Sequence, residues 1–254
     1  MSEKVVEYRV EGAIAVVELN RPDKLNAFNA EVQALLQAAL IKANADTGVR
    51  AVIITGRGRA FSAGADIADF ILTPATAVQM AEHGVNFLSS PERVRKPVIA
   101  AVNGYAFGGG FELCLACDLI IASEKAVFSV PEPRIGLAPG FAVTRLPELI
   151  GVARARDVLL TARRIGAAEG REFGFVSRVV PHDELMQEAL KTAGEIAQLA
   201  PLAVEFLKGA INSRLPLADR PVTDRATAWL ALTKDVVEGV TAFQEKRAPK
   251  FTGE

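Results

Sequence analysis

Three consecutive glycines, Gly108-Gly109-Gly110, stand between the β-branched run Val98–Val102 and the apolar stretch Phe111–Cys117. Glycine loses more conformational freedom on folding than any other residue, so a run of three implies a site where side chains would obstruct something. A strand that ends in such a turn and continues as a helix exposes backbone N–H groups at the helix start. There the unpaired donors and the helix dipole favour negative charge. A tight turn made only for close helix–sheet packing would use the same glycines. The G-x-G-x-x-G spacing of a dinucleotide turn is absent, with no acidic residue at the expected distance beyond it.

The same pattern occurs earlier in the chain. Val49–Thr55 reads as a short strand ending at Gly56, followed by a glycine-bearing loop over 57–66 (Arg-Gly-Arg-Ala-Phe-Ser-Ala-Gly-Ala-Asp) and a helix expected over Pro74–Ser89. Two such turns can each offer one N–H to a single oxygen, the arrangement acyl chemistry requires of an oxyanion hole. Around them, Val5–Val10 and Ile14–Leu19, divided by Glu11-Gly12, read as a hairpin, and Glu31–Ala45 as a helix capped by Asn29. Leu119–Ala122, Val127–Val130 and Val176–Val180 read as strands. The stretch from Val143 to Phe173 is mainly helical, as is everything from Asp183 onward, punctuated by Pro201, Pro216 and Pro221. Alternating strands and helices make the chain α/β.

Composition narrows the function classes. Half of the 254 residues are hydrophobic and the formal net charge is −1, so the chain can pack a large core and has no overall field for nucleic acid or anionic membrane. A polyanionic ligand must therefore meet local cations, for which Lys24, Arg59 and Lys246 are candidates. The run Pro97–Val102 is far too short to span a bilayer, and Met1-Ser2-Glu3-Lys4 does not begin a signal peptide, so a cytoplasmic location is expected. Cys114 and Cys117 form a C-x-x-C without a second cysteine pair, and His83 and His182 are far apart. A metal site is not expected, and the cysteines read as small apolar residues of a buried helix.

Two glutamates draw notice. Glu112 falls in the first turn of an otherwise apolar helix, where a charge facing the core is costly; helix capping is the plainer explanation for it. Glu132 lies between Pro131 and Pro133 at a strand end, and Pro133 biases it toward extended geometry. Two such groups close together would have their proton affinities driven apart, giving one acid and one base near neutrality.

Taken together, the motifs resemble the enoyl-CoA hydratase/isomerase (crotonase) superfamily. The matching segments are Arg21–Ala27, Ala60–Ile67, Lys96–Leu113, Cys117–Leu119, Pro131-Glu132, Ile135–Leu137 and Phe243–Arg247, nearly the whole chain in order. The run Tyr105–Leu113 is also similar to crotonobetainyl-CoA hydratases. The resemblance implies a crotonase-like spiral of ββα units over residues 1–195 and a helical C-terminal trimerisation region over 196–254, assembling as trimers or paired trimers. It implies Ala63 and Gly109 as oxyanion donors and Glu112 and Glu132 as the catalytic pair. Lys24, Leu25, Ala65, Asp66 and Ile67 fall where the family wraps coenzyme A, and Phe243 and Lys246 where a C-terminal helix touches it. Gly140 falls beside the water position. The expected reaction is hydration of an enoyl-CoA or its reverse, with no metal or separate cofactor, coenzyme A arriving within the substrate. Isomerisation is the alternative, and a non-catalytic acyl-CoA binder would lack a use for both glutamates. Pro139–Leu146 departs from the family pattern, lacking its glycine pair and running one residue shorter, which bears on water placement.

Overall fold

The structure, a computed structural model, describes residues 4–66, 86–213 and 232–254. Its architecture is a spiral in which successive stretches of chain give one strand to a larger sheet, the next to a smaller sheet, and then a helix or turn. The larger sheet has six strands in the order β1 (Val6–Glu11), β2 (Ile14–Leu19), β3 (Ala51–Gly56), β5 (Val98–Val102), β7 (Leu119–Ser123) and β10 (Arg178–Val180). The smaller has β4 (Ala60–Ser62), β6 (Tyr105–Phe107), β8 (Val127–Ser129) and β9 (Arg164–Gly166). Among the described residues only the β1–β2 hairpin and the β8–β9 pair are antiparallel. This is the expected spiral of ββα units in an α/β chain.

Parallel strands buried on both faces explain the near-continuous apolar runs of β2, β3 and β5. On β2, Ala15, Val17 and Leu19 face the main core, while Ile14 and Val16 face a second layer. That layer is closed by Leu185, Ala189 and Ala193 of a helix spanning Leu185–Ala197. The helices, in chain order, are α1 (Ala30–Ala45), α2 (Ser90–Arg93), α3 (Gly109–Leu115), α4 (Ala142–Ile150), α5 (Val152–Thr161), α6 (Ala167–Phe173), α7 (Leu185–Ala197), α8 (Pro201–Asn212) and α9 (Lys234–Glu245). Asn29 caps α1, accepting the Val32 N–H at 2.9 Å, as its position predicted.

Differences from the sequence reading are local. β4, β6 and β9 were read as loop or helix; each is only three residues long, too short for a periodic signal. Glu132 is not extended: it opens a 3₁₀ turn, Glu132–Ile135, in which Pro133 is tolerated because the first N–H groups of a helical turn need no partner. Most of the helix expected over Pro74–Ser89 lies outside the described residues, as do Pro216 and Pro221. Cys114 and Cys117 are both buried free thiols. Among the described residues no helix is long and apolar enough to cross a membrane.

Candidate active site

The parallel pairs β4–β6 and β6–β8 bring three chain ends together: the turn after β4, the glycine turn after β6 and the 3₁₀ turn after β8. Contact between the first two is close. A Cβ at Gly64 would meet Phe107 O at 2.7 Å and Gly109 N at 2.9 Å. On the other side, a Cβ at Gly108, whose φ is +51°, would lie 2.6 Å from Glu132 Oε1, so the lack of a side chain there leaves room for the carboxylate.

Glu112, on α3, is 3% exposed. Its Oε1 accepts the N–H groups of Phe141 at 2.6 Å and Ala142 at 2.8 Å, the first donors of α4. Burial raises its pKa, and these two bonds oppose the rise. The carboxylate thus sits on a helix N-terminus while its other oxygen stays available. Glu132 is held differently. Its Oε2 is buried and has no hydrogen-bond partner among the described residues. Burial pushes its pKa up to about 7; a hydrogen bond from its own backbone opposes this, and the neighbouring Glu112 charge adds to it. An acid half-protonated near neutrality beside a carboxylate fixed by two backbone donors is an acid/base pair.

The expectation that Ala63 is an oxyanion donor meets a competing bond. Its N–H donates to Leu25 O at 2.9 Å, which places that group in the scaffold. Phe28 forms a parallel bridge with Ala65, donating its N–H to Gly64 O at 2.7 Å and accepting that of Asp66 at 3.1 Å. A residue bridged in this way turns its own N–H to the opposite side, and Ala65 N–H has no acceptor among the described residues. Gly109, first in α3, likewise has no acceptor within its helix. Ala65 and Gly109 are thus both free to donate at the junction of the two turns.

Of the other expected contacts, Lys24 is exposed at the end of a 3₁₀ turn, Pro22–Lys24, and Leu25 follows with a left-handed φ of 51°. Asp66 pairs with Arg21 at 3.1 Å, and Arg21 also donates to Ala27 O, so Asp66 ties the 21–28 loop to the turn after β4. Arg59 is exposed between β3 and β4. Gly140 is exposed immediately before α4; the donors that reach Glu112 are the next two residues, which spacing alone did not single out. Phe243 is 85% exposed on α9 and Lys246 caps that helix in a left-handed conformation. No hydrogen bond or ion pair among the described residues joins either to the glutamates. Ile67 lies outside the described residues. No cluster of three or more metal-binding side chains occurs among the described residues.

A family model described as enoyl-CoA hydratase/isomerase matches residues 9–254. A probable enoyl-CoA hydratase of Mycobacterium tuberculosis is 42% identical over 94% of each chain. A crotonyl-CoA hydratase of Syntrophomonas wolfei is 41% identical over 95% of each. Among solved structures, an enoyl-CoA hydratase from Bacillus anthracis superposes with a TM-score of 0.95 at 36% identity, covering 98% of this chain and 100% of the other.

Proposed function

Because this chain belongs to the enoyl-CoA hydratase/isomerase family, we propose that it adds water across the 2,3 double bond of an enoyl-CoA thioester, or runs the reverse dehydration. The observation that carries the reading is the unequal glutamate pair: Glu112 anchored by two N–H groups, Glu132 with a buried free oxygen and a pKa near 7.

The thioester carbonyl accepts the N–H groups of Ala65 and Gly109, Ala65 taking the role first expected of Ala63. Preorganised backbone donors stabilise the enolate oxygen without reorganisation as charge develops. Glu112, ionised and oriented, takes a proton from the water that attacks the β-carbon. Glu132, protonated, gives its proton to the α-carbon, and transfer from Glu112 to Glu132 resets the pair. Coenzyme A enters with the substrate, and no separate cofactor is required. Lys24, Leu25 and Ile67 remain its proposed contacts, with Phe243 and Lys246 reaching it from α9, while Asp66 serves through Arg21. Cytoplasmic placement and a homotrimer or paired trimer complete the proposal. Exposed Leu207 and Ile211 on α8 and Leu232 just before α9 support a subunit interface. Isomerisation would need one shuttling base and leave the second carboxylate a desolvation cost without use.

Crotonyl-CoA and a 3-enoyl-CoA turned over in ¹⁸O-labelled water test this. Label at the β-carbon is expected; migration of the double bond without label overturns hydration and leaves the fold untouched.

A further inference from the structure

We propose that Ser62 is the positioning residue of the oxyanion turn, an inference that rests on the donor assignment above. Ser62 is fully buried and joins three segments. Its Oγ donates to Asn26 O at 2.8 Å and accepts the Gly64 N–H at 3.1 Å. Its backbone lies against the glycine turn, where a Cβ at Gly110 would meet Ser62 O at 2.3 Å and Ser62 Cβ at 2.9 Å.

The consequence follows from peptide planarity. Gly64 C=O and Ala65 N–H belong to one trans peptide and point in opposite directions. Phe28 N–H holds the Gly64 carbonyl, and thereby aims the Ala65 N–H away from the 21–28 loop. That plane can still rotate about the two soft torsions of Gly64, a residue with φ of +87° and no Cβ to restrain it. The Ser62 hydroxyl removes this freedom by pinning the preceding peptide at Gly64 N–H. Gly64 is then held at both ends, by Ser62 on one side and Phe28 on the other.

Asn26 supplies the foundation. It is 1% exposed with φ of 56°. Its Oδ1 accepts Arg21 N–H at 2.8 Å, and its Nδ2 donates to Arg57 O at 3.0 Å and Ala60 O at 2.8 Å. The carbonyl that receives the Ser62 proton is therefore itself fixed, and the same loop bears Lys24 and Leu25. Ser62 thus links the loop proposed to grip the coenzyme to the donor that meets the carbonyl.

A conjugated enoyl-CoA carrying an electron-donating aromatic group serves as the probe, since polarisation of its carbonyl shifts its absorption to longer wavelength. In Ser62→Ala we expect less than half of the wild-type red shift. Turnover of crotonyl-CoA should fall about 10–100-fold, less than the about 10²–10³-fold expected for outright loss of a donor. KM and probe affinity should stay within about two-fold, because the coenzyme contacts are intact. Ser62→Cys, which keeps a weak donor and acceptor, should recover part of both signals. A full red shift with wild-type turnover in Ser62→Ala overturns the proposal. So does a loss of probe affinity in step with turnover, which would mark a merely structural role. If the wild-type protein itself gave no red shift on binding, the oxyanion assignment would fall, and the role of Ser62 with it.

Discussion

Glu112 and Glu132 are neighbours but carry their charge on different terms. Glu112→Gln should lose the base and Glu132→Gln the acid, each slowing hydration by roughly 10²–10⁴-fold in steady-state assays of purified, folded variants. Stability should respond in the opposite sense at Glu132. A carboxyl raised from 4.5 to about 7 in the fold makes its full contribution to stability below the unfolded value and loses it as pH rises through about 7. Glutamine has no such loss. Glu132→Gln should therefore melt about 2–4 °C above wild type near pH 8.5, with the gap closing toward pH 5, as read by calorimetry. Both glutamates stood out in the sequence, because a carboxylate in an apolar helix and one between prolines each need a reason, while their pairing as acid and base was implied only by the resemblance. The occupied Ala63 N–H, which leads us to propose Ala65 in its place, was not legible. It depends on which distant carbonyl accepts each N–H, and the acceptor, Leu25, lies far off in sequence.

At the level of elements, long strands and capped helices could be read directly, since β2, β3, β5 and α1 carry apolar runs or periodicity with clear ends. Of the smaller sheet only β8 could be read in this way: its strands are three residues each, and β4, β6 and β9 carry no periodic signal of their own. Yet this sheet sets the site, because β4–β6–β8 pairing places the three turns side by side. Their spacing is tight enough to test. Gly110→Ala would put a Cβ 2.3 Å from the Ser62 carbonyl, a backbone atom with no room to retreat. A cost of about 1–3 kcal/mol in urea unfolding is expected from the forced shift. Turnover should fall by more than the stability loss implies, because the two donor turns are pushed apart. Wild-type turnover in that variant would show that the turns have slack.

Across the whole molecule, a buried cation helps tie α8 to the core. Lys208 of α8 donates to Pro91 O at 2.9 Å, Lys96 O at 3.0 Å and Asp118 Oδ2 at 2.6 Å. Removing the cation leaves a part-buried Asp118 and two backbone carbonyls uncompensated, so Lys208→Met should cost about 1–3 kcal/mol in urea unfolding, with activity retained in what remains folded. A cost below about 1 kcal/mol would mean that solvent reaches the pair. The two thiols lie just beyond Glu112 on and after the same helix, where burial raises the pKa of both. Protonated and enclosed, they should resist alkylation in the native state and react only when that helix is exposed. Unreacted cysteine after hours with a maleimide in native buffer, and rapid reaction in urea, is the expected result. The labelling rate would then time how often the segment presenting Glu112 comes away from the sheets, a clock for opening of the proposed catalytic centre already present in the chain.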